Sequence, residues 1–264
     1  MDETEELMRL CVRALVAQMC DVPGVEMHLT PTAVLGLTGE PSPDFNRLTL
    51  ADGPDGEDFL TRSVARARAR GLPLVAVMSP KAAQTLGPVA AGLGLASVGT
   101  SPLMVLRPTT PVTPSRPVKI TRALGPELVA IAGDLAAAAF DEPRDVLARC
   151  IDVCVTETAG VETWIAWDGE APRSAVTVTP TGNTAGISLM ATPPEHQRRG
   201  MGRALLTQVI ADYRSRGVSR FHLGATPAGR PLYDSLGFEL VAELSAWLLS
   251  AEGALAGRPR GELS

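Results

Sequence analysis

ATPPEHQRRGMGRALL, residues 191–206, sets two prolines, two arginines and two glycines one residue apart in front of a stretch that turns apolar and helical. The helix it opens, MGRALLTQVIADYRSRG, carries Leu205, Leu206, Val209, Ile210 and Tyr213 on one face and stops at Gly217. A helix N-terminus presents N–H groups with no intrahelical partner, together with the positive end of the macrodipole, so it attracts anions. Gly200 and Gly202 let phosphate oxygens approach the backbone with no Cβ in the way, while Gln197, Arg198, Arg199 and Arg203 add donors and charge. A pyrophosphate fits such a loop better than a single carboxylate does.

The surrounding pattern gives the fold class. Upstream, TWIAWDGEAPRSAVTVTPTGNTAGISLMAT alternates apolar and polar residues around Asp168-Gly169 and Thr181-Gly182-Asn183, which predicts three antiparallel strands. VKITRAL reads as a short strand, and GPELVAIAGDLAAAAF and EPRDVLARCIDVCVTET read as helices. Downstream come a strand (FHLGA), a short helix (PAGRPLYDSLG) and one or two closing strands (FELVAELSAWLLS). The order is mixed α/β, an α+β mixed sheet in which antiparallel hairpins lead into a strand–helix–strand unit. RPTTPVTPSRPVK, with Pro108, Pro111, Pro114 and Pro117, favours an extended connector. The expected division is a first domain over 1–107, a linker over 108–117 and a second domain over 118–264.

The first domain looks like a second copy of the same fold. FLTRSVARARARG (59–71) aligns without a gap on LLTQVIADYRSRG (205–217), and Leu60, Thr61, Ala65, Arg68, Arg70 and Gly71 are identical to their counterparts. A strand, a helix, a GLGL or SLGF turn and a final strand follow each helix, as a repeat requires. Where the second copy has HQRRGMGRA, the first has LADGPDGED, with Asp52, Asp55, Glu57 and Asp58. Carboxylates suit the helix dipole but repel phosphate. The first copy is therefore expected to be degenerate, serving the structure or walling off part of the substrate site.

Composition narrows the partners. The chain has 264 residues, 45% hydrophobic and 20% charged, with a net charge of −5, which argues against general nucleic-acid binding. Of the 24 Lys and Arg, only Lys81 and Lys119 are lysine, a bias read as genomic except for arginines in the loop. The first twenty residues form an acidic amphipathic helix, and no apolar run reaches the ~20 residues of a membrane span, so the expected location is cytoplasmic with no membrane partner. Cys11, Cys20, Cys150 and Cys154 read as small buried hydrophobes, and His28, His196 and His222 are too scattered for a metal site, so no metal is expected.

Three phosphate loops compete for 197–203. A P-loop needs lysine, and none follows Lys119. The dinucleotide fingerprint fails at its third glycine, where Leu205 stands, and lacks the acidic residue that should follow ~20 residues on. Gln197-Arg198-Arg199-Gly200-Met201-Gly202 resembles the Q/R-x-x-G-x-G/A signature of the GNAT superfamily of N-acetyltransferases, and Leu232-Tyr233-Asp234-Ser235-Leu236-Gly237-Phe238 resembles its L-Y-x-x-x-G-F signature. The two lie in order at the usual separation, and the resemblance covers residues 117 to 250 or so. It implies a tandem GNAT-like fold and acetyl-CoA as co-substrate. It also implies that the loop from Gln197 through Arg203 cradles the coenzyme pyrophosphate. Met190, Ala191 and Thr192 would pair with the pantetheine arm and polarise the thioester carbonyl, and Tyr233 would be the general acid that reprotonates the departing thiolate.

Those roles agree with the chemistry of amide formation. An amine of pKa about 10 must lose a proton before it attacks, the tetrahedral intermediate carries an oxyanion, and a thiolate of pKa about 8.5 needs only a moderate acid. AGISLMAT has no carboxylate to act as base; Asp141, Glu142, Glu157 and Glu162 are alternatives, with removal through water equally open, and the base stays unassigned. His196 reads as a solvent-facing loop residue, His222 as a strand residue that either packs or faces the acyl site, and Trp164, Trp167 and Trp247 as core. The expected function is acyl-CoA-dependent N-acyltransfer, by default acetyl, to a small-molecule or protein amine; the alternative is a non-catalytic acyl-CoA-binding or sensing module. The reading admits a homodimer.

Overall fold

The fold comes from a computed structural model, which describes residues 2–20, 22–113, 117–145, 147 and 160–251. Its elements are α1 (Glu3–Met19), β1 (Glu26–Leu29), β2 (Ala33–Leu37), β3 (Asn46–Leu50), α2 (Gly56–Ala69), β4 (Leu74–Met78), α3 (Pro80–Gly92) and β5 (Ala96–Leu106), then β6 (Lys119–Arg122), α4 (Gly125–Phe140), β7 (Glu162–Asp168), β8 (Ala171–Thr181), β9 (Thr184–Ala191), α5 (Met201–Ser215), β10 (Arg220–Gly224), α6 (Arg230–Ser235) and β11 (Glu239–Leu249). Each half runs through three antiparallel strands, a helix, a strand, a helix and a strand of eleven residues, so the repeat read from the aligned helices extends from β1 to β5 and from β7 to β11, while β6 has no counterpart among the described residues of the first half. Most of the helix expected over 142–158, with Cys150, Cys154 and Glu157, lies outside the described residues.

The chain forms two compact units: Met1–Met104 with Gly224–Ala228 and Leu240–Ser264, and Val105–Leu223 with Gly229–Glu239. In the first, the strand order is β1-β2-β3-β4-β11-β5. β1, β2 and β3 pair antiparallel, and β3 pairs with β4 in parallel. One face of that sheet, through Leu35, Leu48, Leu50, Leu74 and Met78, packs on Phe59, Leu60 and Val64 of α2 and Leu86 of α3. Each fully buried aliphatic side chain contributes about 1.5–3 kcal/mol. β11 belongs to this unit although its sequence follows the second copy: it pairs antiparallel with β4, from Ser245↔Met78 to Leu249↔Leu74. Gly87 of α3 makes that docking feasible, since a Cβ there would lie 3.2 Å from the Trp247 ring. This division differs from the boundary expected at 108–117 in where it puts the last strand.

The second unit has the strand order β10-β9-β8-β7-β6, antiparallel except for the β9–β10 pair. Leu205, Leu206, Val209, Ile210 and Tyr213 of α5 are buried, as their spacing predicts. The start of the proline-rich stretch is held on this unit: the Arg107 carbonyl accepts from Arg214 Nη2 at 3.1 Å, and Arg107 Nε donates to Glu239 at 2.8 Å.

Glu162, one of the bases considered, is committed elsewhere. Its carboxylate accepts both Arg216 nitrogens at 3.0 Å and the Tyr213 hydroxyl at 2.8 Å, and lies 3.2 Å from Arg122. Burial pushes this carboxyl up, but the bonds from Arg216 and Tyr213 and the charges of Arg216 and Arg122 outweigh it and hold Glu162 below the usual carboxylate range. The group therefore ties the C-terminal end of α5 to β7 as an anion at neutral pH. Because its folded pKa is depressed, its contribution is present above the ordinary carboxylate value and is lost as pH falls through the folded one. Glu162→Gln should lower unfolding stability by about 2 kcal/mol at neutral pH in urea denaturation and flatten the acid side of the stability profile.

Candidate active site

The site is built where β9 leaves its neighbour. The β9–β10 ladder has three rungs, Thr184↔Arg220, Ala185↔Phe221 and Gly186↔His222. β9 then runs on from Ile187 to Ala191 without that partner. Against β8 its register slips: Thr177 faces Ser188 while Ala175 faces Ala191, so β9 carries one residue more over that span. Leu189 absorbs the extra residue at φ +47°. A γ-branched residue in that region costs of order 1 kcal/mol or more, and bulges of this kind recur beside active sites. Leu189 had no glycine or turn signal to announce it in the sequence.

Beyond the bulge, side chains from β8 hold the chain. The Ser174 hydroxyl, fully buried, lies 2.7 Å from the Ala191 carbonyl and 2.8 Å from Thr192 Oγ1. Gln197 Nε2 donates to the Thr192 carbonyl at 3.0 Å. His196 is not the solvent-facing residue expected: Arg173 Nη1 lies 2.7 Å from its Nε2. Arginine can only donate, so Nε2 is the acceptor and the ring proton sits on Nδ1. Arg173, Ser174 and Leu189 are the residues that sequence reasoning missed.

The loop itself is left-handed at Arg198 (φ +57°) and Gly200 (φ +77°) but not at Arg199, an alternation that gathers successive N–H groups into a concave anion nest. Gln197 through Gly200 are exposed. Among the described residues no carboxylate pairs with Arg198 or Arg199. The two glycines do different work. A Cβ at Gly200 would meet nothing, so that position needs glycine for its φ and leaves its outer side open; a Cβ at Gly202 would lie 2.9 Å from Met190 Cε and 3.2 Å from Thr192 Oγ1. Met190, Thr192 and the first turn of α5 are thereby packed together.

The tyrosine signature is a helix stop. The Tyr233 carbonyl accepts from Phe238 N at 3.1 Å and the Asp234 carbonyl from Gly237 N at 3.1 Å, with Gly237 at φ +83°. That is a Schellman motif, and its apolar pair is Tyr233 with Phe238, edge to face at 5.7 Å. A side chain at Gly237 would also strike Thr110, 2.7 Å away. Burial pushes the Tyr233 phenol up to about 12. No hydrogen bond to its hydroxyl occurs among the described residues. The tyrosine helix meets the loop helix at two points: Leu232 Cδ2 lies 3.8 Å from the Cβ position of Gly202, and Arg203 Nη1 reaches Ser235.

The remaining candidates fall away from this cluster or stay structural. Asp141 is the left-handed C-cap of α4, its N–H bonded to the Ala137 carbonyl. His222 is 3% exposed at the last β9–β10 rung. Trp167 donates to Thr121 at 2.8 Å, and His28 lies 2.7 Å from Glu26 in the first unit. The described residues contain no cluster of metal-ligating groups and no helix long and apolar enough to cross a membrane.

The counterpart loop in the first unit is filled from within. Glu5 of α1 is 4% exposed, and its Oε2 accepts the Asp52 N–H at 2.8 Å. A Cβ on Gly53 would lie 2.3 Å from Thr32 Oγ1, so the loop is closed against its neighbour.

Residues 143–245 match the family model described as the acetyltransferase (GNAT) domain. A GCN5-related N-acetyltransferase from Kribbella flavida shares 18% identity and superposes with a TM-score of 0.72, covering 97% of this chain and 98% of that one. One from Sphaerobacter thermophilus has 16% identity, a TM-score of 0.59 and coverage of 97% and 93%. A tandem GNAT protein from the clavulanic acid biosynthesis pathway has 16% identity, a TM-score of 0.58 and coverage of 90% and 87%. No curated protein matches the sequence. The chain thus has the GNAT fold in tandem, and its residues 143–245 match the GNAT acetyltransferase domain model.

Proposed function

We propose that this protein is an acyl-CoA-dependent N-acyltransferase that moves acetyl from acetyl-CoA to an amine by direct attack. The observation that carries the reading is the convergence, within the second unit, of an open N–H nest with two exposed arginines that no carboxylate among the described residues pairs with, a bulged strand edge and a buried tyrosine. The coenzyme pyrophosphate would take the amides of the Gln197–Arg203 loop and the charges of Arg198 and Arg199. The free edge of β9 at Met190, Ala191 and Thr192 would take the pantetheine arm, and an N–H there would stabilise the oxyanion of the tetrahedral intermediate. The amine nitrogen forms the new bond to the acyl carbon, the carbon–sulfur bond breaks, and the departing thiolate takes a proton from Tyr233. With Glu162 ionised and bound, the proton lost by the amine leaves through water, and water returns a proton to the Tyr233 phenolate, which closes the cycle. An amine acceptor, small molecule or protein, and a cytoplasmic setting complete the proposal.

A non-catalytic acyl-CoA-binding module is the second reading, favoured by the lack of a carboxylate on β9. Two measurements decide. Acetyl-CoA at a hundred times its Kd should stabilise the protein by about 2.7 kcal/mol in thermal denaturation while NAD leaves Tm unchanged; equal shifts from both would remove the coenzyme assignment. Tyr233→Phe should lower kcat by about 10²-fold or more and change acetyl-CoA affinity by less than about twofold, and unchanged turnover in an amine screen would take Tyr233 out of the mechanism. Since burial holds the phenol at about 12, the wild-type acid should stay protonated, and kcat free of an alkaline fall due to it, up to about pH 11.

A further inference from the structure

We propose that Arg203 is a positioning residue for Tyr233, clasping the tyrosine helix to the first turn of α5 rather than serving the phosphates. The proposal rests on the acyl-transfer reading for its catalytic consequence, but not for its geometry. Arg203 Nη1 donates to the Ser235 carbonyl at 3.0 Å and to Ser235 Oγ at 2.6 Å, and Ser235 Oγ donates in turn to the Leu232 carbonyl at 2.7 Å. The Schellman turn satisfies the carbonyls of Tyr233 and Asp234, and the next one, Ser235, is the one that receives the guanidinium. A cation at that end also suits the helix dipole.

The need for a clasp follows from length. α6 spans six residues, too short to hold itself in water, so contacts set its attitude. Leu232 against Gly202 on one side and Ser235 against Arg203 on the other bracket Tyr233 in the sequence. The first unit supplies a contrast. There the residue aligned with Arg203 is Glu57, and the helix in the place of α6 is α3, thirteen residues long and with no tyrosine. Arg198 and Arg199, by comparison, are exposed and carry no such tie among the described residues. Ordering of the first turn of α5 by a bound pyrophosphate would therefore be passed to the acid through the Arg203 side chain as well as the Leu232 contact.

The test uses the full-length protein with Arg203→Met, which keeps the aliphatic stem, and Ser235→Ala, which removes only the hydroxyl partner. Three quantities are read: acetyl-CoA Kd by calorimetry, kcat, and tyrosinate absorbance against pH. Only Tyr213 and Tyr233 contribute to the last, and burial and the bond to Glu162 push Tyr213 well above the ordinary range. The clasp predicts that Arg203→Met lowers kcat about tenfold or more with Kd changed less than about threefold, that Ser235→Ala moves kcat the same way by less, and that Arg203→Met adds nothing in a Tyr233→Phe background. It also predicts that in Arg203→Met a phenol ionises near the ordinary value of about 10, where the wild-type protein shows none. A weakened Kd with kcat intact, a silent Ser235→Ala and an unchanged phenol titration would overturn it in favour of a phosphate contact. If wild-type protein turns over no amine, the acyl-transfer reading fails while the titration still decides the clasp.

Discussion

A β-strand can bond along both edges or keep one for a ligand, and in the second unit β9 keeps one. Its parallel ladder with β10 ends at Gly186↔His222, and the left-handed Leu189 inserts an extra residue against β8. Everything proposed for catalysis depends on that interruption. The freed edge is where a pantetheine arm can pair. The turn after the bulge, held by Ser174 and by Arg173 through His196, delivers the chain to the loop at the start of α5. The strain at Leu189 is supported by this partly buried network, which is how a costly backbone conformation can persist.

The two copies show how one element order can be kept while a site is lost. Where the second copy offers an open nest and exposed arginines, the first has an acidic loop whose Asp52 amide is already bonded to the buried Glu5 side chain. A buried side chain thus occupies backbone of the kind that, in the second copy, is proposed to hold a phosphate. Repulsion from Asp52, Asp55, Glu57 and Asp58 and the lack of room beside Gly53 act in the same direction. Both copies retain the apolar face of the aligned helix, since packing on a sheet is needed whether or not a ligand binds.

Much of this was legible because it is local. The apolar stripe of α5, the three antiparallel strands, the glycine turn at 200 and the L-Y-x-x-x-G-F stop follow from spacing and from backbone conformations that only certain residues favour. The physical meaning of that stop, a Schellman turn whose apolar contact is the tyrosine itself, needed coordinates. So did everything that depends on contacts distant in sequence: Glu162 held by Arg216, Arg122 and Tyr213, Arg203 bound to Ser235, and His196 bound to Arg173. A charged residue looks the same in the sequence whether it faces a ligand or a neighbouring strand. The destination of β11 was likewise hidden, because its alternating pattern suits either sheet; Trp247 and Gly87 decide it only once the helix and strand face each other.

The claim that joins these points is that the second copy holds the coenzyme and the first does not. Isothermal titration of the intact chain with coenzyme A tests it most directly. The account predicts one molecule bound per chain. Two per chain would mean that the Glu5-filled loop binds as well, and none would mean that the nest before α5 is not a coenzyme site.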